Sequence, residues 1–239
     1  AQLLRCDYLP TVWTPDAQTR EQRALASRRS ALTRQAISLK NRIHSVLHQR
    51  LIFGPAELFS TKGLAWLRST ELPPIARGEI DTLLRLLDAL QIEQASLRVD
   101  VDRAAFASQD IKLLMTLPGI DATTAHAIMA AIGDIHRFRS PDRLAAYFGL
   151  VPSVHQSAEH AYHGRITKQG NSNVRWLLIQ AAQIAGRHPG PLGKQFATLA
   201  RRKNRNVAVV AIAHKLAILA WHLLTRGAPY RYALPRTIE

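Results

Sequence analysis

The chain is poor in cysteine, in long apolar runs and, over its last third, in acid. One cysteine, Cys6, stands among 239 residues. That excludes an intramolecular disulfide and a cysteine-rich zinc site, and it leaves Cys6 as a plain, partly buried thiol. The reducing cytosol is the simplest compartment for such a chain. No uninterrupted apolar stretch reaches the ~18 residues of a membrane span, so no membrane partner is expected. The opening Ala1-Gln2-Leu3-Leu4-Arg5 lacks the pattern of a signal peptide. Convincing period-two alternation is missing throughout, so the fold class read from the sequence is all-α.

The acid deficit is the most informative absence. From His160 to Ile238 there are thirteen Lys or Arg and no Asp or Glu, whereas residues 1–159 hold nineteen bases and sixteen acids. The net charge of +15 therefore sits largely in the C-terminal third. A solvated surface normally mixes its signs, so this asymmetry points to a polyanionic partner. Nucleic acid fits better than an anionic membrane, because no basic amphipathic helix with large apolar anchors is evident there.

Helical signals dominate what is present. Thr14-Pro15-Asp16 reads as N-cap, N1 and first-turn acid of a helix running to about Leu51, with Leu25, Leu32, Leu39, Ile43, Val46 and Leu47 on or near one stripe. Eight bases (Arg20, Arg23, Arg28, Arg29, Arg34, Lys40, Arg42 and Arg50) share the rest with only Asp16 and Glu21. This suits either a solvated face or a nucleic-acid contact. Gly54-Pro55 ends the helix, and Trp66 and Leu67 are core candidates in the short helices beyond. A second long helix is predicted from Gly78 to about Ala107. Its seam, Ile80, Leu83, Leu87, Leu90, Gln94, Leu97, Val101 and Ala104, suits an antiparallel coiled-coil hairpin, pairing between chains in a homo-oligomer, or an ordinary amphipathic helix. The domains read from this pattern are a long-helix connector over 1–110 and a compact helical domain over 111–239.

The second half opens with a short helix, Ile111 to Thr116, and the turn Leu117-Pro118-Gly119-Ile120. Asp121 or Thr123 is placed to cap the next helix, which ends at Gly133. Helix, Pro-Gly turn, helix is the pattern of a helix-hairpin-helix, in which backbone N–H groups near Gly119 can hold a phosphate. Ser140 caps a helix over Leu144 to Phe148, which stops at Gly149. Residues 151–170 read as a polar loop with no clear period, holding Ser157 and three histidines, His155, His160 and His163. Asn171 or Ser172 caps a helix from Val174, and a further helix from Leu192 runs into Arg201, Arg202, Lys203 and Arg205. The last helix, Val207 to Thr225, is apolar on most sides and expected to be buried.

Ser157 is the candidate nucleophile, since a hydroxyl beside concentrated positive charge can attack a phosphate once activated. Arg165, Lys168 and Arg175 are the candidate charges. Gly164, Gly170 and Asn171 make a glycine loop of the kind that offers backbone N–H groups to phosphate, although it is not a P-loop. An ordinary turn before a helix fits the same residues. One or two bases at a helix C-terminus complement its dipole, but Arg201, Arg202, Lys203 and Arg205 exceed that need and read as a nucleic-acid contact. No Gly-x-Ser-x-Gly elbow, histidine metal spacing or carboxylate pair for two-metal chemistry is recognisable, so no metal or other cofactor is expected in this chain.

Taken together, Leu117-Pro118-Gly119-Ile120, Ala145 to Pro152, Gln156-Ser157 and Ile166 to Asn171 with Arg175 resemble the C-terminal domain of a bacterial insertion-sequence transposase family. That family carries an N-terminal DEDD, RuvC-like nuclease domain and is related to the Piv site-specific invertases. Leu39 to His44 resembles the start of its coiled-coil connector, and the likeness covers nearly the whole chain. The resemblance implies DNA strand cleavage and rejoining, Mg²⁺ on carboxylates of the nuclease domain, and Ser157 as the serine that attacks DNA. It also implies an element-encoded bridge RNA as a further partner and a place at the bacterial nucleoid in the cytoplasm. The nuclease domain is expected upstream of Ala1, in a longer or split protein. By itself the chain is therefore expected not to cleave DNA. Ser157-Ala158 departs from the family's usual Ser-Gly, which restricts the loop if that position needs positive φ. A rival reading is a non-catalytic helix-hairpin-helix module, or the remnant of an inactivated element. A coiled-coil assembly protein would not need so uneven a charge.

Overall fold

The computed structural model describes residues 5–6, 12–157 and 160–232, and for 154–157 and 160–163 the backbone alone. The fold is all-α apart from one short β-ribbon. Two compact units divide the chain: residues 27–100 form one, and the segments on either side form the other.

The smaller unit holds most of helix α1 (Ala17–His48), all of α2 (Thr61–Ser69) and most of α3 (Pro74–Ala107). Arg28 meets Glu93 at 3.2 Å and Arg42 meets Glu79 at 2.8 Å, so α1 and α3 run antiparallel here. The two pairs lie fourteen residues apart on each helix, from 28 to 42 and from 79 to 93, which is two heptads. Both pairs are exposed, so they mark register more than they stabilise. Stability comes from Ile43, Val46, Leu47, Leu58, Leu67, Ala76, Ile80 and Leu84, which form one buried cluster. Ser60 caps α2 by accepting from the Gly63 amide. A β-carbon at Gly63 would stand 2.4 Å from the Glu57 and Leu58 carbonyl oxygens, so only glycine fits that turn.

The larger unit packs α4 (Gln109–Leu114), α5 (Ala122–Ile132), α6 (Pro141–Tyr147), α7 (Ser172–Ala185) and α8 (Pro191–Arg202) around or beside α9 (Arg205–Arg226). Ile212, Ala213, Leu216, Ala217 and Ala220 of α9 are fully buried with Ile128, Leu144, Phe148 and Leu178. By length and composition α9 is apolar enough to cross a membrane, but this buried face is the core of the unit. The Trp221 indole N–H donates to the Phe138 carbonyl at 3.0 Å, tying α9 to the segment before α6.

The C-terminal end of α5 is held by two arginines. Arg23 donates to the Ala130 and Ala131 carbonyls at 2.8 and 2.9 Å. Arg137, in the 3₁₀ turn Ile135–Arg137, donates to those of Ile132 and Ala131 at 2.9 and 3.2 Å. Both guanidinium groups also lie against the Trp13 ring, at 5.2 and 4.5 Å from its centroid. The helix end is thus satisfied by cations that complement its dipole, and Trp13 fixes the start of α1 to it.

Several sequence expectations change. Asp16, not Thr14, caps α1: its carboxylate accepts from the Thr19 amide at 2.7 Å. Hydrogen bonds from the Thr19 side chain and amide hold the Asp16 carboxyl below its ordinary range. Helix α3 starts at Pro74 rather than Gly78, because proline is tolerated in a first helical turn. Cys6 is exposed. In place of an irregular loop, β1 (Pro152–Ser157) and β2 (His160–Ile166) pair as an antiparallel ribbon. A two-stranded ribbon is held by backbone hydrogen bonds and need not bury one face, so it leaves no alternation to read.

Candidate nucleic-acid interface

The motifs either side of the ribbon converge on the C-terminal end of α6. Ser140 caps this helix by accepting from the Arg143 amide, with Pro141 in its first turn. It ends at Tyr147 with Phe148 as its C-cap, and Gly149, with φ of +68°, lets the chain reverse just beyond. The loop 167–171 then lies on that end. The Thr167 amide donates to the Val151 carbonyl at 2.9 Å, the Lys168 amide to Gly149 at 3.2 Å and the Asn171 amide to Tyr147 at 3.4 Å. Such close backbone contact needs glycine on both sides. A β-carbon at Gly149 would stand 2.2 Å from the Gln169 carbonyl oxygen, and one at Gly170 2.1 Å from that of Tyr147.

Two predicted site residues hold this arrangement together. The Arg175 Nη1 donates to the Phe148 carbonyl at 3.0 Å, so that guanidinium is tied to the end of α6. Asn171 caps α7, its Oδ1 accepting from the Asn173 and Val174 amides at 3.1 Å each, worth about 1 kcal/mol. Lys168 has φ of +56°, unusual for a residue with a side chain, and is exposed like Arg165 and Gly170. The loop thus presents Arg165 and Lys168 to solvent, while Gly170, Asn171 and Arg175 support it.

Ser157 lies at the far end of the ribbon. Its Cα partner is His160, whereas Pro152 pairs with Ile166 at the root beside the loop. Five strand steps separate Ser157 from that root, roughly 16 Å at ~3.3 Å per residue. The ribbon's own register therefore does not bring Ser157 to Arg165, Lys168 and Arg175. The side chains of Ser157, His155, His160 and His163 lie outside the described residues, as does Ala158.

Gly119 is placed by packing. With φ of +81°, it approaches α7 so closely that a β-carbon would stand 2.3 Å from the Ala181 carbonyl oxygen. At the following helix start, the Asp121 carboxylate accepts from the Thr124 amide at 2.8 Å and caps α5. An acidic group thus occupies the helix N-terminus nearest the turn.

At the junction of α8 and α9 the chain turns through Lys203 and Asn204, and Asn204 caps α9 by accepting from the Val207 amide at 2.8 Å. Arg201, Arg202, Lys203 and Arg205 are all exposed, and among the described residues none of the four side chains has an ion-pair partner.

A second basic feature was not singled out from the sequence. Arg137, Phe138, Arg139, Arg143, Ala146 and Tyr147 line an open groove of about 490 Å³. The only signal was the spacing of three arginines around the Ser140-Pro141-Asp142 cap.

The profile of the IS116/IS110/IS902 transposase family matches residues 111–198, which covers the turn at Gly119, the ribbon, the glycine loop and most of α8. The chain is similar to the transposase for insertion sequence element IS1111A of Coxiella burnetii, at 36% identity over 55% of the chain and 37% of that protein. It is also similar to a probable family 20 transposase of Pseudomonas aeruginosa, at 30% identity over 93% of the chain and 69% of that protein. A pilin gene-inverting protein of Moraxella bovis matches at 31% identity over 49% of the chain and 38% of its own length. The class these likenesses define is that of the insertion-sequence transposases, and the chain belongs to the IS116/IS110/IS902 family. Its match to the Coxiella relative spans little more than a third of that protein.

Proposed function

We propose that this chain is the DNA-binding, serine-bearing part of a transposase that cuts and rejoins DNA. The unpaired bases at the α8–α9 junction, in a C-terminal third without acid before its last residue, support nucleic-acid binding most directly. In the chemistry proposed, the Ser157 oxygen bonds to a DNA phosphorus as one P–O ester bond breaks. The reverse attack by a DNA hydroxyl rejoins the strand and frees the serine. In this reading Mg²⁺ is held by carboxylates of a nuclease domain, as the family resemblance implies. Assembly of the two domains would bring charge-stabilising groups to a serine carried on a ribbon tip.

The same reading extends the partners to a bridge RNA on the basic surfaces and to a second copy of the chain, and places the protein at the nucleoid. Self-association would use the long-helix hairpin, where Ile92 and Val99, one heptad apart, are exposed. The rival is a binding module without catalysis. Recombination by the full transposase, with a denaturing gel for protein–DNA adducts, separates the two. Ser157→Ala is expected to abolish both joining and adduct while leaving DNA affinity nearly unchanged. Recombination at the wild-type level by that variant would leave the binding module as the better account.

A further inference from the structure

We infer that the groove between the 3₁₀ turn 135–137 and α6 is a phosphodiester-binding site, which engages the backbone of a nucleic-acid strand beside an aromatic wall. The inference rests on the nucleic-acid-binding reading above and adds to it the arginines Arg137, Arg139 and Arg143, which belong neither to the motifs quoted from the sequence nor to the basic run at the α8–α9 junction.

The floor of the groove is built and fixed. Arg137 is held by the carbonyls at the end of α5, with its guanidinium carbon 4.2 Å from the centroid of the Phe138 ring and 4.6 Å from that of Tyr147. Tyr147 is pinned in turn, because its hydroxyl donates to the Ala131 carbonyl at 3.3 Å. Phe138 is buried and its carbonyl accepts from Trp221. Neither ring nor cation must be ordered when a ligand arrives, which lowers the cost of binding.

The rim is different. Arg139 and Arg143 are exposed, and among the described residues neither guanidinium has a hydrogen-bond or ion-pair partner. Asp142, the nearest acid in sequence, is exposed and is not among the lining residues. Its field acts on His214. Three cations and no carboxylate therefore line the groove, and its volume falls within the range of ligand pockets.

The chemistry selects the ligand. Guanidinium forks match phosphate oxygens in pairs. An aromatic ring beside them gives an adjacent base or sugar an apolar surface, as in single-strand channels. The groove is also continuous in structure with the glycine loop. Tyr147 is among the residues that line the groove, and its carbonyl receives the Asn171 amide. One short helix thus carries an arginine groove on its side and the basic loop on its end, so a strand held by Lys168 and Arg165 has a second anchor on the same element.

The test is salt-dependent binding of labelled single-stranded and duplex oligonucleotides to the full chain. Arg139→Gln/Arg143→Gln is compared with Lys62→Gln/Arg68→Gln, which removes equal charge from exposed positions on α2. The groove variant is expected to lower the slope of log K against log salt by about 2, near one per lost phosphate contact, and the control by less than half as much. A photo-crosslinking residue at position 143 is expected to give a nucleic-acid adduct that unlabelled oligonucleotide displaces. Equal slopes for the two variants, or no adduct, while the wild type still binds, would overturn the groove site alone. Wild-type protein that binds neither oligonucleotide would overturn the nucleic-acid reading and the groove with it. Displacement of the adduct by polyglutamate but not by oligonucleotide would overturn it in favour of an acidic peptide.

Discussion

Gly170 lies against Tyr147 so closely that a β-carbon on the glycine would stand 2.1 Å from the tyrosine's carbonyl oxygen. The contact joins residues 23 positions apart and seats the basic loop on the end of α6.

Gly170→Ala is therefore expected to destabilise the protein. The side chain meets backbone rather than a flexible neighbour, and φ of +105° is itself unfavourable for alanine. The expected loss is about 2 kcal/mol, read from the urea midpoint at constant m. An unchanged midpoint would show that the loop can leave α6 without consequence.

Neutralising Arg201, Arg202, Lys203 and Arg205 to Gln is expected to flatten the salt dependence of DNA binding by about four in the log–log slope if each contacts one phosphate. These exposed side chains have no ion-pair partner among the described residues, so folding should be preserved. A slope equal to that of the wild type would remove the junction from the interface.

Trp13→Ala is expected to loosen the end of α5. The indole lies against the guanidinium groups of both Arg23 and Arg137, and two such contacts together contribute about 1–2 kcal/mol. Hydrogen exchange of the α5 amides should quicken along with the fall in global stability. Unaltered exchange there would confine Trp13 to a local surface role.

Acid should also destabilise the fold through α9. Burial, chiefly, pushes the His214 imidazole below its ordinary pKa, against the opposing field of Asp142. Burial and then the nearby Arg226 and Lys215 do the same for His222. A histidine that binds protons less readily when folded supports the fold fully above about pH 6.5 and loses that support as pH falls through 6.5 toward its folded value. Thermal midpoints should accordingly drop between pH 7 and pH 5, and His214→Gln/His222→Gln should flatten the profile in that window. A double variant with the wild-type profile would assign the acid sensitivity to other groups.

What could be read from the sequence was local. Ser140, Asp121 and Asn171 were legible as caps because a cap needs only a short polar side chain just before an apolar helical pattern. The seam of α3 was legible in part: Ile80, Leu87, Leu97 and Val101 are buried, whereas Leu83, Leu90, Gln94 and Ala104 are half-buried and the buried Leu84 and Ala105 lay outside the predicted pattern. The approach of Gly149 and Gly170 was hidden, since two glycines 21 residues apart carry no mark of contact. The arginines at the end of α5 were hidden for a similar reason. Arg23 counted as one of eight bases on a helix face, and its carbonyl partners lie more than a hundred residues away. The groove at Arg139 and Arg143 emerged only when Tyr147 and the 3₁₀ turn supplied its walls.

The paired bridges Arg28–Glu93 and Arg42–Glu79 make the hairpin a ruler with matched graduations. A seven-residue insert in one arm alone would put every later position opposite the wrong partner, and the turn would have to absorb the surplus. A four-residue insert would also rotate the seam by about 40°, since each residue advances the helix by about 100°. Lineages of this hairpin should accordingly lengthen or shorten by whole heptads in both arms together. Its length would then be inherited in steps, much as a gear can gain teeth only if its mate does.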